Sequence, residues 1–181
     1  MSKKEKDYLV IDLEMTCEEP RPKDYKPEII EIGIVKVDLD GNVKSREQIL
    51  VKPVHNTISD FCTELTGHTF ENLKRNGIPL ESAFNKIKKL GSRNKKIIAW
   101  GEDWKQFEME ADWKGLENPL SGRYLNLSML HSVLHRTVHK TALEDAIEYY
   151  GVEKVGKLHS GVDDAHNTAL VFKAMLEKFD I

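Results

Sequence analysis

Apolar and polar positions follow strand periods in the first part of the chain and mostly helical periods after it. Tyr8 to Leu13 is a short apolar run that reads as a buried strand. Ile29 to Val37 is a second, almost unbroken apolar strand, and Asp40-Gly41 is a turn from which Val43 to Val51 returns antiparallel. Between the first two strands, Glu18 to Pro27 carries three prolines and is a loop. Ser59 caps a helix running to Leu65, and Pro79 to Leu90 places Leu80, Ala83, Phe84, Ile87 and Leu90 at helical spacing, ended by Gly91. Lys96 to Trp100 reads as a fourth strand, Asp103 to Ala111 as a helix and Arg123 to Leu127 as a fifth strand. Leu127 to Leu134, Ala142 to Tyr149 (closed by Gly151) and Val162 to Phe179 read as helices. Hairpin-joined strands followed by alternating strands and helices predict an α/β fold, a mixed sheet with helices packed on it. No repeat, low-complexity block or linker divides the chain. Residues 1–6 are expected to be a flexible tail and residues 7–181 a single domain.

Composition narrows the class. At 181 residues, with 40% hydrophobic and 31% charged residues, the chain can bury a full core without staples. No apolar run approaches bilayer-spanning length, and Asp12 interrupts any signal-peptide pattern, so membrane attachment is not expected and a cytoplasmic location is. Cys17 and Cys62 suit neither a zinc spacing nor a disulfide framework, and are expected to be reduced thiols. A net charge of −3 argues against a protein that coats nucleic acid nonspecifically, but not against an enzyme that grips a few nucleotides. Lys86, Lys88, Lys89, Arg93, Lys95 and Lys96 read as solvated surface. Arg21, Lys23 and Lys26 stand close in sequence to the acids discussed next.

The first strand ends in Asp12-Leu13-Glu14. Strand residues alternate faces, so both carboxylates point the same way and repel each other unless a cation sits between them. Near the other end, His159-Ser160-Gly161-Val162-Asp163-Asp164 leads into the last helix. Two-metal phosphodiester cleavage needs carboxylates that hold ions about 3.5–4 Å apart, and magnesium favours such oxygen ligands. Asp12 and Glu14 would bridge, Asp164 would reach in from the helix, and His159 would take the proton of the attacking water. A fourth carboxylate should come from another strand end, where Glu102 and Asp103 follow Trp100-Gly101. Taken singly, each residue has a plainer explanation: an exposed strand edge, a loop histidine, acids favouring a helix N-terminus, a core tryptophan. In this order and on these elements, the combined reading is the stronger one.

These residues resemble the DEDDh exonucleases of the DnaQ-like, ribonuclease H-like superfamily. Asp12 to Glu19, Glu28-Ile29-Ile30-Glu31-Ile32, Ile58 to Gly67 and His159 to Asn167 are most similar to the branch of 3′–5′ exonucleases that trims histone mRNA and small interfering RNA ends. The resemblance implies a mixed five-stranded sheet flanked by helices on both faces. It implies two Mg2+ or Mn2+ ions and stepwise release of nucleoside 5′-monophosphates. It makes Asp12, Glu14, Asp103 and Asp164 metal ligands and His159 the general base. The middle motif is one residue shorter than in many members of the branch. Lys105-Gln106-Phe107 favours Asp103 as the ligand, with Glu102 as the rival.

The resemblance also implies that Met15, Leu65, Thr66 and Trp100 frame the terminal nucleotide, core packing being the competing role for Leu65 and Trp100. Single-stranded or 3′-overhang RNA is the expected partner, and the basic loop carrying Arg21, Lys23 and Lys26 is expected to touch its phosphates. A protein partner is not identifiable. No appended nucleic-acid-binding module is expected, so guidance to one RNA would come from elsewhere. The alternatives are an exonuclease on single-stranded DNA and, in a different class, a catalytically inactive nucleic-acid-binding module. The latter would lack an acid or the histidine, and all five positions are filled.

Overall fold

The computed structural model describes residues 7–179. The expected flexible tail over residues 1–6 lies outside them. The first strand, β1 (Asp7–Met15), is apolar at most positions because protein covers both its faces and both its edges. It pairs antiparallel with β2 (Ile29–Asp38), which pairs antiparallel with β3 (Val43–Leu50). On its other edge β1 pairs parallel with β4 (Ile97–Ala99), and β4 with β5 (Tyr124–Asn126). The result is one mixed five-stranded sheet in the order β3-β2-β1-β4-β5, with the acid-bearing strand in the middle. Gly41 turns the β2–β3 hairpin with φ +80°, which a side chain would resist.

Seven helices complete the described chain: α1 (Asp60–Thr66), α2 (Phe70–Asn76), α3 (Leu80–Lys89), α4 (Trp104–Lys114), α5 (Leu127–Leu134), α6 (Leu143–Tyr150) and α7 (Gly161–Phe179). Alternation along β1 sorts them. Leu9, Ile11 and Leu13 pack with Leu80, Phe84 and Ile87 of α3 and Phe107 of α4. Val10 faces the other way, packing with Ala146 and Ile147 of α6 and Ala165, Ala169 and Phe172 of α7. Asp12 and Glu14 continue the row of Val10, on the side of the sheet that α7 covers. The helix is seated closely there. A Cβ on Gly33 of β2 would lie 2.0 Å from the Gly161 carbonyl oxygen, so glycine sets how near α7 comes to the sheet.

Two details differ from the sequence pattern. The α2 helix was not expected, because Leu73 is its one buried residue and leaves no periodic stripe to read. The fourth and fifth strands are each shorter than Lys96 to Trp100 and Arg123 to Leu127, and none of those end residues belongs to its strand. Among the described residues, no helix is long and apolar enough to cross a membrane.

Candidate active site

The acids meet at the sheet end where β1 and β4 finish. Glu14 is buried and stands opposite Glu31 in the β1–β2 register, while Asp12 stands opposite Gly33. Asp103 directly precedes α4, and the backbone N–H groups of Leu13 and Gly101 face its carboxylate. Asp164 lies in the first turn of α7 and is 7% exposed. Its Oδ2 accepts a 2.8 Å hydrogen bond from the His159 N–H. Its Oδ1 is buried with no hydrogen-bond partner. His159 carries an exposed ring on a backbone with φ +59°, a conformation uncommon outside glycine, which turns the loop into the helix. Among the described residues, one group of metal-binding type stands out: Glu14, His159 and Asp164, whose ligand atoms all lie within 4.8 Å of one another.

Electrostatics ties Asp12 and Asp103 to that group. Burial, then the charges of Asp103, Asp164, Glu14 and Glu31, push the Asp12 carboxyl well above the usual range. Burial first, with Asp164, Glu31 and Asp103 behind it, pushes Glu14 to about 8, against a downward pull from the Lys157 ammonium. Burial likewise lifts Asp103 to about 6 despite its backbone donors. Asp164 is raised by burial, although the His159 N–H works against it. Four carboxyls that all resist ionisation in one place form a site that binds either protons or cations. The unpartnered Asp164 oxygen could accept such a cation. The donor set, oxygen with one imidazole, suits a hard divalent ion.

Neighbouring groups bear on several local questions. Glu102 is exposed and paired with Lys105 at 2.7 Å, away from the carboxylate group, whereas Asp103 belongs to it. Burial, with Cys62 beside it, pushes the Cys17 thiol up to about 12, too high for a thiolate nucleophile at neutral pH.

The expected nucleotide frame divides. Met15 and Leu65 are half-buried. Thr66 is buried, and its hydroxyl donates to the Cys62 carbonyl (2.8 Å) and accepts from the His68 N–H (3.2 Å), so it braces a turn. Trp100 has core surroundings. It is 9% exposed within the core cluster of α6 and α7, and its indole N–H donates to the Thr141 carbonyl at 2.9 Å. These surroundings favour core packing, the competing role expected for it. In the proline-rich loop, Arg21 donates to the Tyr25 carbonyl, and Lys26 lies 5.3 Å over the Trp113 ring. Lys88 and Arg93 pair with Glu117 at the surface, as solvated residues do.

Three participants were not singled out from sequence. Glu31 interrupts an otherwise apolar strand, a signal in itself, but its partner His68 is 37 residues away. Lys157 reaches from the loop before His159 to the Thr66 carbonyl (3.3 Å), which no local pattern announces.

Comparison with known proteins matches this arrangement. The exonuclease family model matches residues 9–172. The 3′-5′ exoribonuclease 1 of Homo sapiens is 29% identical over 184 residues, covering 94% of this chain and 53% of that protein. ERI1 exoribonuclease 2 of Homo sapiens is 32% identical over 198 residues, covering 94% of this chain and 28% of that protein. The chain thus spans about half the length, or less, of these relatives. Among solved structures, the nuclease domain of 3′hExo, a DEDDh family member bound to rAMP, superposes with a TM-score of 0.86 at 25% identity. That match covers 98% of this chain and 95% of the other.

Proposed function

The chain belongs to the exonuclease family and has the ribonuclease H-like fold of its DEDDh members, and from that premise we propose that it is a metal-dependent 3′–5′ exoribonuclease releasing nucleoside 5′-monophosphates. One observation carries the proposal: Glu14, His159 and Asp164, remote in the chain, converge within 4.8 Å, beside a buried Asp164 oxygen that has no protein partner. RNA is favoured as substrate because the similar proteins are named exoribonucleases and a similar structure is bound to rAMP.

Asp12, Glu14, Asp103 and Asp164 would hold two divalent ions, Mg2+ or Mn2+. Bound there, such ions supply positive charge to the phosphodiester and acidify water. The rest is done by the chain's own groups. The carboxylates, spread over β1, the β4 end and α7, fix the site from three directions. His159, exposed and tethered to Asp164 through its backbone, takes the proton of the attacking water. Met15 and Leu65, at the rim, flank the terminal nucleotide. Single-stranded or 3′-overhang RNA is the expected partner.

The test uses matched 5′-end-labelled RNA and DNA oligonucleotides with Mn2+, Mg2+ or a chelator. Ladders shortening from the 3′ end of RNA, silent in chelator, are expected. Equal or faster shortening of DNA would reassign the substrate. Cleavage that persists in chelator would overturn the metal-dependent mechanism. Oligonucleotide binding without cleavage under any metal would point to an inactive binding module.

A further inference from the structure

Glu31 is the acid of this region that differs from the rest. It is fully buried on the site face of the sheet, opposite Glu14. Its Oε2 meets His68 Nε2 at 2.5 Å. Its Oε1 accepts from Gln48 Nε2 at 3.0 Å and from the Val162 N–H at 2.9 Å. A carboxylate has no proton to give, so the hydrogen in the contact with His68 sits on the ring nitrogen. Burial alone would raise this carboxyl, but donation from His68, Gln48 and Val162 overrides it and holds Glu31 below the usual range. The four acids assigned to the metals are all raised. Glu31 has its charge matched by protein donors, and both its oxygens are engaged.

The Val162 N–H belongs to the first turn of α7, whose leading N–H groups have no partner within the helix. Glu31 supplies one from a different element. Gly161 lets the helix start come this close, since a Cβ there would lie 3.3 Å from both the Glu31 carboxyl and the Asp12 carbonyl oxygen. His68 is itself set in place. Gly67, with φ +78°, ends α1, and the Thr66 hydroxyl accepts the His68 N–H. Three segments are therefore joined through one carboxylate: β2, the α1–α2 turn and the α7 N-terminus. Val162 stands two residues before Asp164 and three after His159.

We propose that Glu31 and His68 are a positioning pair that fixes the start of α7 against β2, and so sets Asp164 and His159 against Glu14; the inference rests on the metal-dependent reading above. The pair touches neither substrate nor metal. It acts as the partners that orient metal ligands generally do, and losing such a partner typically costs about 10–100-fold in metal affinity or activity.

The experiment compares the full-length chain with His68→Ala and His68→Gln. Binding of Mn2+ alone is followed by the electron paramagnetic resonance signal of the free ion, and kcat and KM are measured on an end-labelled oligoribonucleotide. For His68→Ala, a cooperative melt is expected, with Mn2+ affinity and kcat each down about tenfold or more and KM little changed. His68→Gln, whose amide can still donate to Glu31, should recover most of both. A folded His68→Ala with wild-type Mn2+ affinity and kcat overturns the proposal, and so does a His68→Gln no better than His68→Ala. If His68→Ala fails to fold, the double variant Glu31→Leu/His68→Leu decides, because it removes the stranded charge together with its donor. Wild-type Mn2+ affinity in that variant overturns the proposal, and a loss of about tenfold supports it. A wild-type chain that binds Mn2+ but cleaves no RNA would sink the functional reading and leave the pair to be judged on Mn2+ affinity.

Discussion

The His159 N–H donates to Asp164 Oδ2 at 2.8 Å, so the loop presenting the imidazole is tied to the carboxylate it serves beside. The other Asp164 oxygen is buried without a hydrogen-bond partner, and under the proposed function it would hold a cation. Two substitutions should separate these duties. Asp164→Asn should weaken Mn2+ binding by more than about tenfold and raise the metal-free melting temperature, since one of several mutually repelling buried carboxyls is gone. His159→Ala should keep Mn2+ binding yet lower kcat about 10²–10⁴-fold. Calorimetry and a Mn2+ titration check both, and an Asp164→Asn protein that binds Mn2+ like wild type would contradict the ligand assignment.

Metal-free stability should fall as pH rises. Glu14 and Asp103 sit at about 8 and about 6 against ordinary values of 4.5 and 3.8, so the folded chain holds their protons more tightly than the unfolded chain does. Below the ordinary values both states are protonated and nothing is lost. Stability then declines through the folded values, each fully titrating group contributing a slope of up to ~1.4 kcal/mol per pH unit. Glu28 and Glu31, held low by their donors although burial opposes this, act with the opposite sign. The clean measurement is therefore wild type minus Glu14→Gln in chelator between pH 5 and pH 9. A flat difference would contradict the burial of Glu14. Saturating Mg2+ should flatten the decline and add more to the melting temperature at pH 8 than at pH 5.

Asp103 and Glu102 are adjacent in sequence and unlike in surroundings, one beside Asp12 and the other paired with Lys105 at the surface. Asp103→Ala should remove nearly all nuclease activity. Glu102→Ala should change it less than about twofold and leave stability within ~0.5 kcal/mol. Steady-state rates on the same RNA decide, and the reverse pattern would exchange the two assignments.

Trp100 should behave as a core residue. Trp100→Ala is expected to cost about 3–5 kcal/mol in urea unfolding. Trp100→Phe, which keeps most of the ring volume but loses the bond to the Thr141 carbonyl, should leave the KM for short RNA unchanged. A selective rise in KM for Trp100→Phe at unchanged stability would restore a substrate-stacking role.

Much of this site was legible in the sequence because its signals are local or periodic. Alternation put Asp12 and Glu14 on one face, Ser59 announced α1 as its cap, and Asp40-Gly41 announced the hairpin. What stayed hidden depends on distant packing. For Trp100 the sequence leaves both a core and a stacking role open, and nothing within a few residues announces its bond to the Thr141 carbonyl, 41 positions away. His68 stands in a turn whose neighbours give no hint of Glu31. The α2 helix buries Leu73 alone, too little for a pattern. The close seat of α7 is a contact between two glycines 128 positions apart, visible only once both elements are in place.

The central place of β1 also governs how the molecule would fail. Gripped along both margins by neighbouring strands, it gives up its acids only when the whole sheet gives way. The histidine hangs from an outer loop and can be lost to a far smaller disturbance. Damage should therefore come in two separable stages, the His159 loop and the Asp164 it is tied to shifting first, and Asp12 and Glu14 staying in place until the fold itself dissolves.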